Sequence, residues 1–229
     1  MERLFQTFQY GEAGRQIYEF FWSDFADWYV EIAKGQLQNA ESKTRTVETL
    51  ARVLDTSMRL LHPFTPFVTE ELWGHLRTAV GQNAILSRLA ADWPDALIVA
   101  KWPGPREPEG WEDGKIADFT LVQEIVRAIR NLRAEKKVSP TKRLSAIIVG
   151  GTKTVLLEDQ TAMLAALAGL DAGHILILEK RELTNEENFH LSFGPIESYN
   201  TLIVGPIAGF SVEIFLPLAE IGEPAEDRA

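Results

Sequence analysis

Arg127, Arg130 and Arg133 stand three residues apart, and Lys137 follows four further on. In a helix that spacing lays four cations along one stripe. Guanidinium and ammonium groups arranged in this way suit phosphate. A second cationic group, Lys34, Lys43 and Arg45, lies near Trp28, Tyr29 and Val30 in the chain. Cations beside aromatic and aliphatic groups match unpaired RNA bases, which need a surface to stack on and a charge for the backbone. Each set also has a plainer reading. The stripe can form helical ion pairs with Glu124 and Glu135, and Phe21, Phe25 and Trp28 read as core.

Covalent and metal chemistry find little support. His62, His75, His174 and His190 are too far apart to present two ligands on one helix face. The chain has no cysteine, which excludes disulfides, thiolate zinc sites and thiol nucleophiles. Gly150-Gly151-Thr152-Lys153 lacks the spacing of a phosphate loop and reads as the turn ending a strand. Glu70 and Glu71 are adjacent, so on a helix they point in different directions and read as helix-start charges. No catalytic, cofactor or metal residue is expected in this chain.

The elements that must position the cations follow from hydrophobic period. Residues 14–34 carry Ile17, Phe21, Phe25, Trp28 and Ile32 at helical spacing, with Gly35 as the expected stop. A second helix is predicted over 42–61, with Val47, Leu50, Leu54, Met58 and Leu61 inward, and a third runs from Pro66 to about Val80. Short turns between them predict an antiparallel bundle. Trp93-Pro94 and Trp102-Pro103-Gly104-Pro105 interrupt the pattern and predict an extended connector. A fourth helix is predicted over 116–137, closed by Ser139-Pro140. Beyond it the period shortens: a strand over 144–149, a helix over 159–170, a strand over 175–178, and a hairpin of 202–207 with 210–216 around Ala208-Gly209. The predicted fold is therefore a mainly α helix bundle followed by a small α+β module, two subdomains in all. The boundaries are a bundle over 1–91, a connector over 92–115, a long basic helix over 116–140 linking bundle to module, the module over 141–217 and an acidic tail over 218–229.

Charge narrows the partner. The 229 residues carry a formal charge of −10, yet residues 120–145 hold seven basic and two acidic groups, +5 against −15 for the rest. A local basic stripe on an acidic body fits one shaped RNA held at one place and disfavours promiscuous nucleic-acid binding. No apolar run approaches the roughly 20 residues of a membrane span. The N-terminus lacks a basic region followed by an apolar one, so a cytoplasmic location is the expectation.

The string Leu61-His62-Pro63-Phe64-Thr65-Pro66-Phe67-Val68-Thr69-Glu70-Glu71-Leu72-Trp73 is the most specific stretch of the chain. Physically it is a helix stop and restart. Pro63 ends one helix, Thr65 is placed to cap the next, and Pro66 fits its first position. The string resembles the helix-bundle anticodon-binding domain of class I aminoacyl-tRNA synthetases, and in its His-Pro start and Thr-Glu-Glu-Leu-Trp finish the valine–tRNA ligase family. Trp22-Ser23-Asp24-Phe25-Ala26-Asp27-Trp28-Tyr29 with Lys34, the helix Ile125-Val126-Arg127-Ala128-Ile129-Arg130-Asn131-Leu132-Arg133-Ala134-Glu135-Lys136-Lys137, and Lys101-Trp102-Pro103 resemble the same family.

The resemblance implies the C-terminal piece of a larger ligase that charges a valine-accepting tRNA using ATP and Mg. The family's His-x-Gly-His and Lys-Met-Ser-Lys-Ser sequences do not occur here, so this piece carries no catalytic centre and no cofactor of its own. The implied partners are the valine-accepting tRNA and the remaining domains of the same synthetase, with no membrane and a monomeric state. By position in the family, Val30 and Lys34 are the leading tRNA contacts, with Lys43 and Arg45 beside them. Arg127, Arg130, Arg133 and Lys137 either contact tRNA or fix the bundle to the module. Two alternatives accompany this reading: a structural docking domain whose RNA readers lie elsewhere, and the equivalent region of an isoleucine or leucine enzyme.

Overall fold

The computed structural model describes residues 1–83, 86–180, 199–207 and 210–221. The chain divides into two compact units, Met1–Glu107 and Pro108–Ala229. The first is helical and the second combines helices with a four-stranded sheet, as the change of hydrophobic period predicts.

In the first unit a short helix α1 (Glu2–Gln6) precedes α2 (Tyr10–Glu19). Helix α2 runs without a break through a π-helical stretch, Phe20–Tyr29, into α3 (Val30–Gln36). Phe25 and Trp28 are buried, whereas Tyr18, Phe20 and Trp22 face outward. The expected stop at Gly35 is not one. Gly35 lies inside α3, and the helix ends one residue later at Gln36, where the Leu37 N–H donates to the Ala33 carbonyl. Helix α4 (Ala40–Leu61) starts two residues before the expected position because Asn39 caps it, its side-chain oxygen accepting from the Glu41 N–H at 2.9 Å. Ser42 Oγ donates back to the Gln36 carbonyl at 2.7 Å and pins the end of α3 to the start of α4.

The corner into α5 (Pro66–Gly81) is held differently from the way the sequence suggests. Pro66 occupies the first turn, as expected, but the Thr65 hydroxyl caps nothing and turns back toward the Leu61 carbonyl at 3.3 Å. The working hydroxyl is that of the buried Thr69. It donates to the Thr65 carbonyl at 2.8 Å and stands 2.8 Å from His62 Nδ1. Glu70 does not serve its own helix dipole either. Its two oxygens accept the Leu97 and Ile98 N–H groups at 2.7 and 3.1 Å and cap the short 3₁₀ turn Leu97–Val99. Phe64 of the corner packs edge-on to Phe5, 5.9 Å between centroids. A Cβ on Gly14 would meet its ring at 3.3 Å, so glycine there lets α2 approach the corner.

The stretch read as an extended connector is partly built into the bundle. Trp73, fully buried, packs against Trp93 with the rings tilted, 4.8 Å between centroids, and donates Nε1–H to the Pro94 carbonyl at 3.3 Å. Arg77 reaches the Asp95 carbonyl at 2.6 Å, and Arg59 lies 5.0 Å from the Trp73 ring while donating to the Lys101 carbonyl. Residues up to Trp102 therefore pack with the bundle. Burial of these aromatics contributes about 2–3 kcal/mol each.

The second unit opens with α6 (Glu112–Glu135), whose Leu121, Val122, Ile125, Val126, Ile129 and Leu132 are buried. Strand β1 (Leu144–Val149) leads through α7 (Thr154–Asp159) and α8 (Thr161–Ala168) to β2 (Leu170–Leu178), which lies parallel to β1. The helix predicted over 159–170 is α8, and α7 before it is additional to the predicted elements; β2 begins five residues earlier than its apolar run. Strands β3 (Tyr199–Ile207) and β4 (Phe210–Pro217) pair antiparallel as the predicted hairpin, giving the order β2-β1-β4-β3. The hairpin turn, Ala208-Gly209, lies outside the described residues, as does His190. The predicted tail at 218–229 begins with structure instead. Leu218–Ile221 form one helical turn, α9, because Ile221 is buried and Glu220 accepts from the Ser145 N–H and hydroxyl at 2.7 and 2.9 Å. Residues 222–229 lie outside the described part.

Candidate nucleic-acid interface

The first cationic group lies on two consecutive helices. The turn at residues 37–39 folds α4 back along α3, so Lys34 near the end of α3 and Lys43 and Arg45 in the first turns of α4 come to one end of this helix pair. All three are exposed, and Val30 is half-buried one turn before Lys34. Lys34 is engaged by Glu31, with Nζ 2.7 Å from both carboxylate oxygens. An exposed pair of that kind contributes only a few tenths of a kcal/mol and yields readily to a phosphate. Lys43 and Arg45 form no ion pair among the described residues.

The aromatic partners differ from those expected. Trp28 is 5% exposed and unavailable for stacking. The exposed aromatics are earlier on the same helix: Tyr18 and Trp22, 60% and 53% exposed, with ring centroids 6.2 Å apart. Aromatics spaced four apart on a helix share one face, and that spacing is where the sequence signals this pair.

The second group, the stripe on α6, does not act as a unit. Arg133 is 9% exposed. It donates to the Gly169 and Ser139 carbonyls at 3.0 Å and to the Lys142 carbonyl at 2.9 Å. Burial, with the nearby Arg143 charge adding to it, holds its pKa below the ordinary arginine value. A guanidinium already surrounded by three carbonyls is not a phosphate contact, and the expectation for Arg133 is corrected. Its position carried the signal: Arg133 follows Ile129 by four residues and Val126 by seven, on the apolar face of the helix. Arg130, exposed on its outer side, directs Nε to the Leu167 carbonyl at 2.8 Å. Arg143 lies 3.4 Å from the Ala165 carbonyl. Three arginines therefore converge on the C-terminal carbonyls of α8, where a helix has unpaired acceptors and the negative end of its dipole. Arg127 is exposed and paired with Glu124 at 2.6 Å.

Lys137 is exposed and sits just past the end of α6 with a φ of 53°. The Val138 N–H closes back to the Arg133 carbonyl at 2.9 Å and the Lys137 N–H to that of Ala134 at 3.1 Å. This is the Schellman arrangement, in which glycine is the usual occupant. Three neighbours of Lys137 that the sequence counts in its basic stretch but not among the named contacts, Lys136, Lys142 and Arg143, are also exposed.

Among the described residues there is no group of three or more His, Asp and Glu side chains able to hold a metal ion. Among the same residues, no helix is long and apolar enough to cross a membrane.

The family model described as the anticodon-binding domain of tRNA ligase matches residues 1–148. The chain is 36% identical over 222 residues to the chloroplastic/mitochondrial valine–tRNA ligase 2 of Arabidopsis thaliana, covering 95% of this chain and 19% of that protein. It is 33% identical over 231 residues to the valine–tRNA ligase of Bacillus anthracis, covering 99% of this chain and 22% of that one. A third similarity, 37% over 164 residues, is to the valine–tRNA ligase of Symbiobacterium thermophilum, covering 68% of this chain and 18% of that protein. The chain thus spans about a fifth of the length of the curated relatives it matches.

Proposed function

The chain belongs to the anticodon-binding domain family of tRNA ligases, and on that premise we propose that it holds the anticodon arm of a valine-accepting tRNA for a catalytic centre outside this chain. The observation that carries the reading is the basic end of the α3–α4 pair. There Lys34, Lys43 and Arg45 offer charge beside Val30; Tyr18 and Trp22, well before that end on the same continuous helix, offer stacking surface. Valine is preferred over isoleucine or leucine because the relatives named above are valine–tRNA ligases and because the corner at 61–73 resembles theirs. On this reading ATP and Mg serve domains beyond the present chain, which acts as part of a cytoplasmic, monomeric synthetase.

A structural role is the second reading, and one observation favours it for part of the stripe: Arg130 and Arg133 are committed to backbone carbonyls of their own unit. The test is titration of the chain with valine-accepting tRNA and with an unrelated RNA hairpin at low salt. The expected result is tighter binding of the tRNA, with log K falling linearly in log salt. Equal binding of the two RNAs sinks the proposal. Lys43→Glu with Arg45→Glu is expected to weaken binding by about tenfold or more through the loss of phosphate contacts.

A further inference from the structure

We infer that the loop after α6 is a second RNA-phosphate surface, formed by Lys136, Lys137, Lys142 and Arg143 on the second unit. It rests on the RNA-binding reading above and extends it from Lys137, a candidate of the sequence, to the three cations around it. Three observations carry it.

The first is rigidity. Arg133 holds the carbonyls of Ser139 and Lys142 from beneath. The Schellman closure fixes the turn at Lys137, and the Ser139 and Thr141 hydroxyls lie 2.9 Å apart across the loop. A loop held in this way presents its cations from a fixed backbone, so binding orders only their side chains. The second is charge. Residues 136–143 contain four cations and no acidic residue, and the one carboxylate engaged there, Glu135, contacts Lys136 at 3.0 Å in an exposed pair. Arg143 keeps donors to spare, since the structure gives it a single long contact to the Ala165 carbonyl. The third is conformation. Lys137 occupies a left-handed position that glycine would fill without strain. A charged side chain at such a place points to use of the charge rather than to stability. Ordered cations with no aromatic among residues 136–143 suit the sugar–phosphate backbone rather than unstacked bases.

The experiment compares tRNA binding by the full chain and by two variants over a range of salt. One variant carries Lys136→Glu, Lys137→Glu and Lys142→Glu; the other carries Lys43→Glu and Arg45→Glu. The triple variant is expected to bind about tenfold or more weakly at low salt and to flatten the slope of log K against log salt by about 2. Unchanged affinity and slope overturn the inference. If the triple variant binds normally while the double variant does not, this surface fails and the bundle reading survives. The opposite pattern leaves this surface standing and removes the bundle contact. Absence of any binding by the parent chain refutes both. Lys137→Gly guards against loss of folding: it relieves the backbone, so weaker binding by a chain that melts no lower than the parent reports lost contact.

Discussion

Replacing Arg133 is the sharpest test of how the second unit is put together. Its guanidinium makes three bonds of 2.9–3.0 Å, to a helix-end carbonyl at Gly169 and to two loop carbonyls at Ser139 and Lys142. Hydrogen bonds to a charged group contribute roughly 1.5–3 kcal/mol each when taken alone. They share one ion here, and releasing that ion to water recovers part of its desolvation cost. The Ser139 and Lys142 carbonyls belong to an exposed loop that water can reach, so only the Gly169 acceptor faces full loss. Arg133→Met is therefore expected to destabilise the unit by about 2–3 kcal/mol. Arg133→Lys should cost about 1–2 kcal/mol, because a single ammonium cannot span three carbonyls. Amide hydrogen exchange is the right assay for a chain of two units, since it assigns the loss to residues 137–145 and 161–172. Gly169 provides the cross-check. Its φ is 71°, and a Cβ there would stand 3.1 Å from Arg133 Cζ. Gly169→Ala should thus cost about 1–2 kcal/mol from backbone strain alone, plus the collision. In the Arg133→Met background the collision vanishes, so the double variant should be more stable than the sum of the two losses predicts. A loss below about 0.5 kcal/mol for Arg133→Met, with exchange in the loop unchanged, refutes the clamp.

Three further outcomes follow from the same geometry. Glu70→Gln keeps the shape of the corner but replaces a two-oxygen acceptor by one, and should cost about 1 kcal/mol with faster exchange at residues 96–100. Lys137→Gly should raise stability by about 0.5–1 kcal/mol in urea unfolding by relieving the left-handed backbone; a destabilised variant contradicts the strain argument. The backbone N–H of Glu109, ahead of those of Glu112 and Gly110, holds the Glu112 carboxyl below its ordinary value of 4.5. Its contribution is then complete above that value and is lost as pH falls through the lower, folded pKa. Glu112→Gln should flatten the acid side of the second unit's stability curve, and an unchanged curve counts against it.

The sequence made the elements legible wherever one periodicity dominated. The α4 positions, the corner at Pro63 and Pro66, and the hairpin strands lie where period and proline rules put them. It failed where a side chain acts across a distance that period cannot encode. Thr65 sits at the cap position, yet the hydroxyl that organises the corner belongs to Thr69, because His62 on the preceding helix needs a partner. Glu70 looked local and caps a turn 27 residues away. The π-helical turn in the first long helix was invisible because Phe25 and Trp28 face inward in an α register as well. Ile129 and Val126 placed Arg133 on the apolar face, but its acceptor at Gly169 is 36 residues distant and emerges only once β2 lies beside β1.

The same distinction sorts the seven cations between residues 120 and 145. A helix end exposes several carbonyls with no partner and a partial negative charge, and α8 ends against the flank of α6. Arginine is suited to that place because its planar fork can satisfy more than one acceptor at once. Arg130, Arg133 and Arg143 all meet it, and the most buried of them meets it completely. Lysine carries a single, strongly hydrated ammonium and gains little there, and the three lysines, Lys136, Lys137 and Lys142, are exposed. Arg127, exposed and paired with Glu124, stands outside the pattern; for the other six, residue type goes with role, building the module or left to meet a partner. Arg143 belongs to both groups, its one long contact leaving most of its donors turned to solvent. Arg143→Lys tests that double role: it should leave RNA affinity within about threefold while lowering stability by about 0.5–1 kcal/mol. A loss of affinity as large as that of the triple lysine variant would mean that the arginine, not the lysines, makes the phosphate contact.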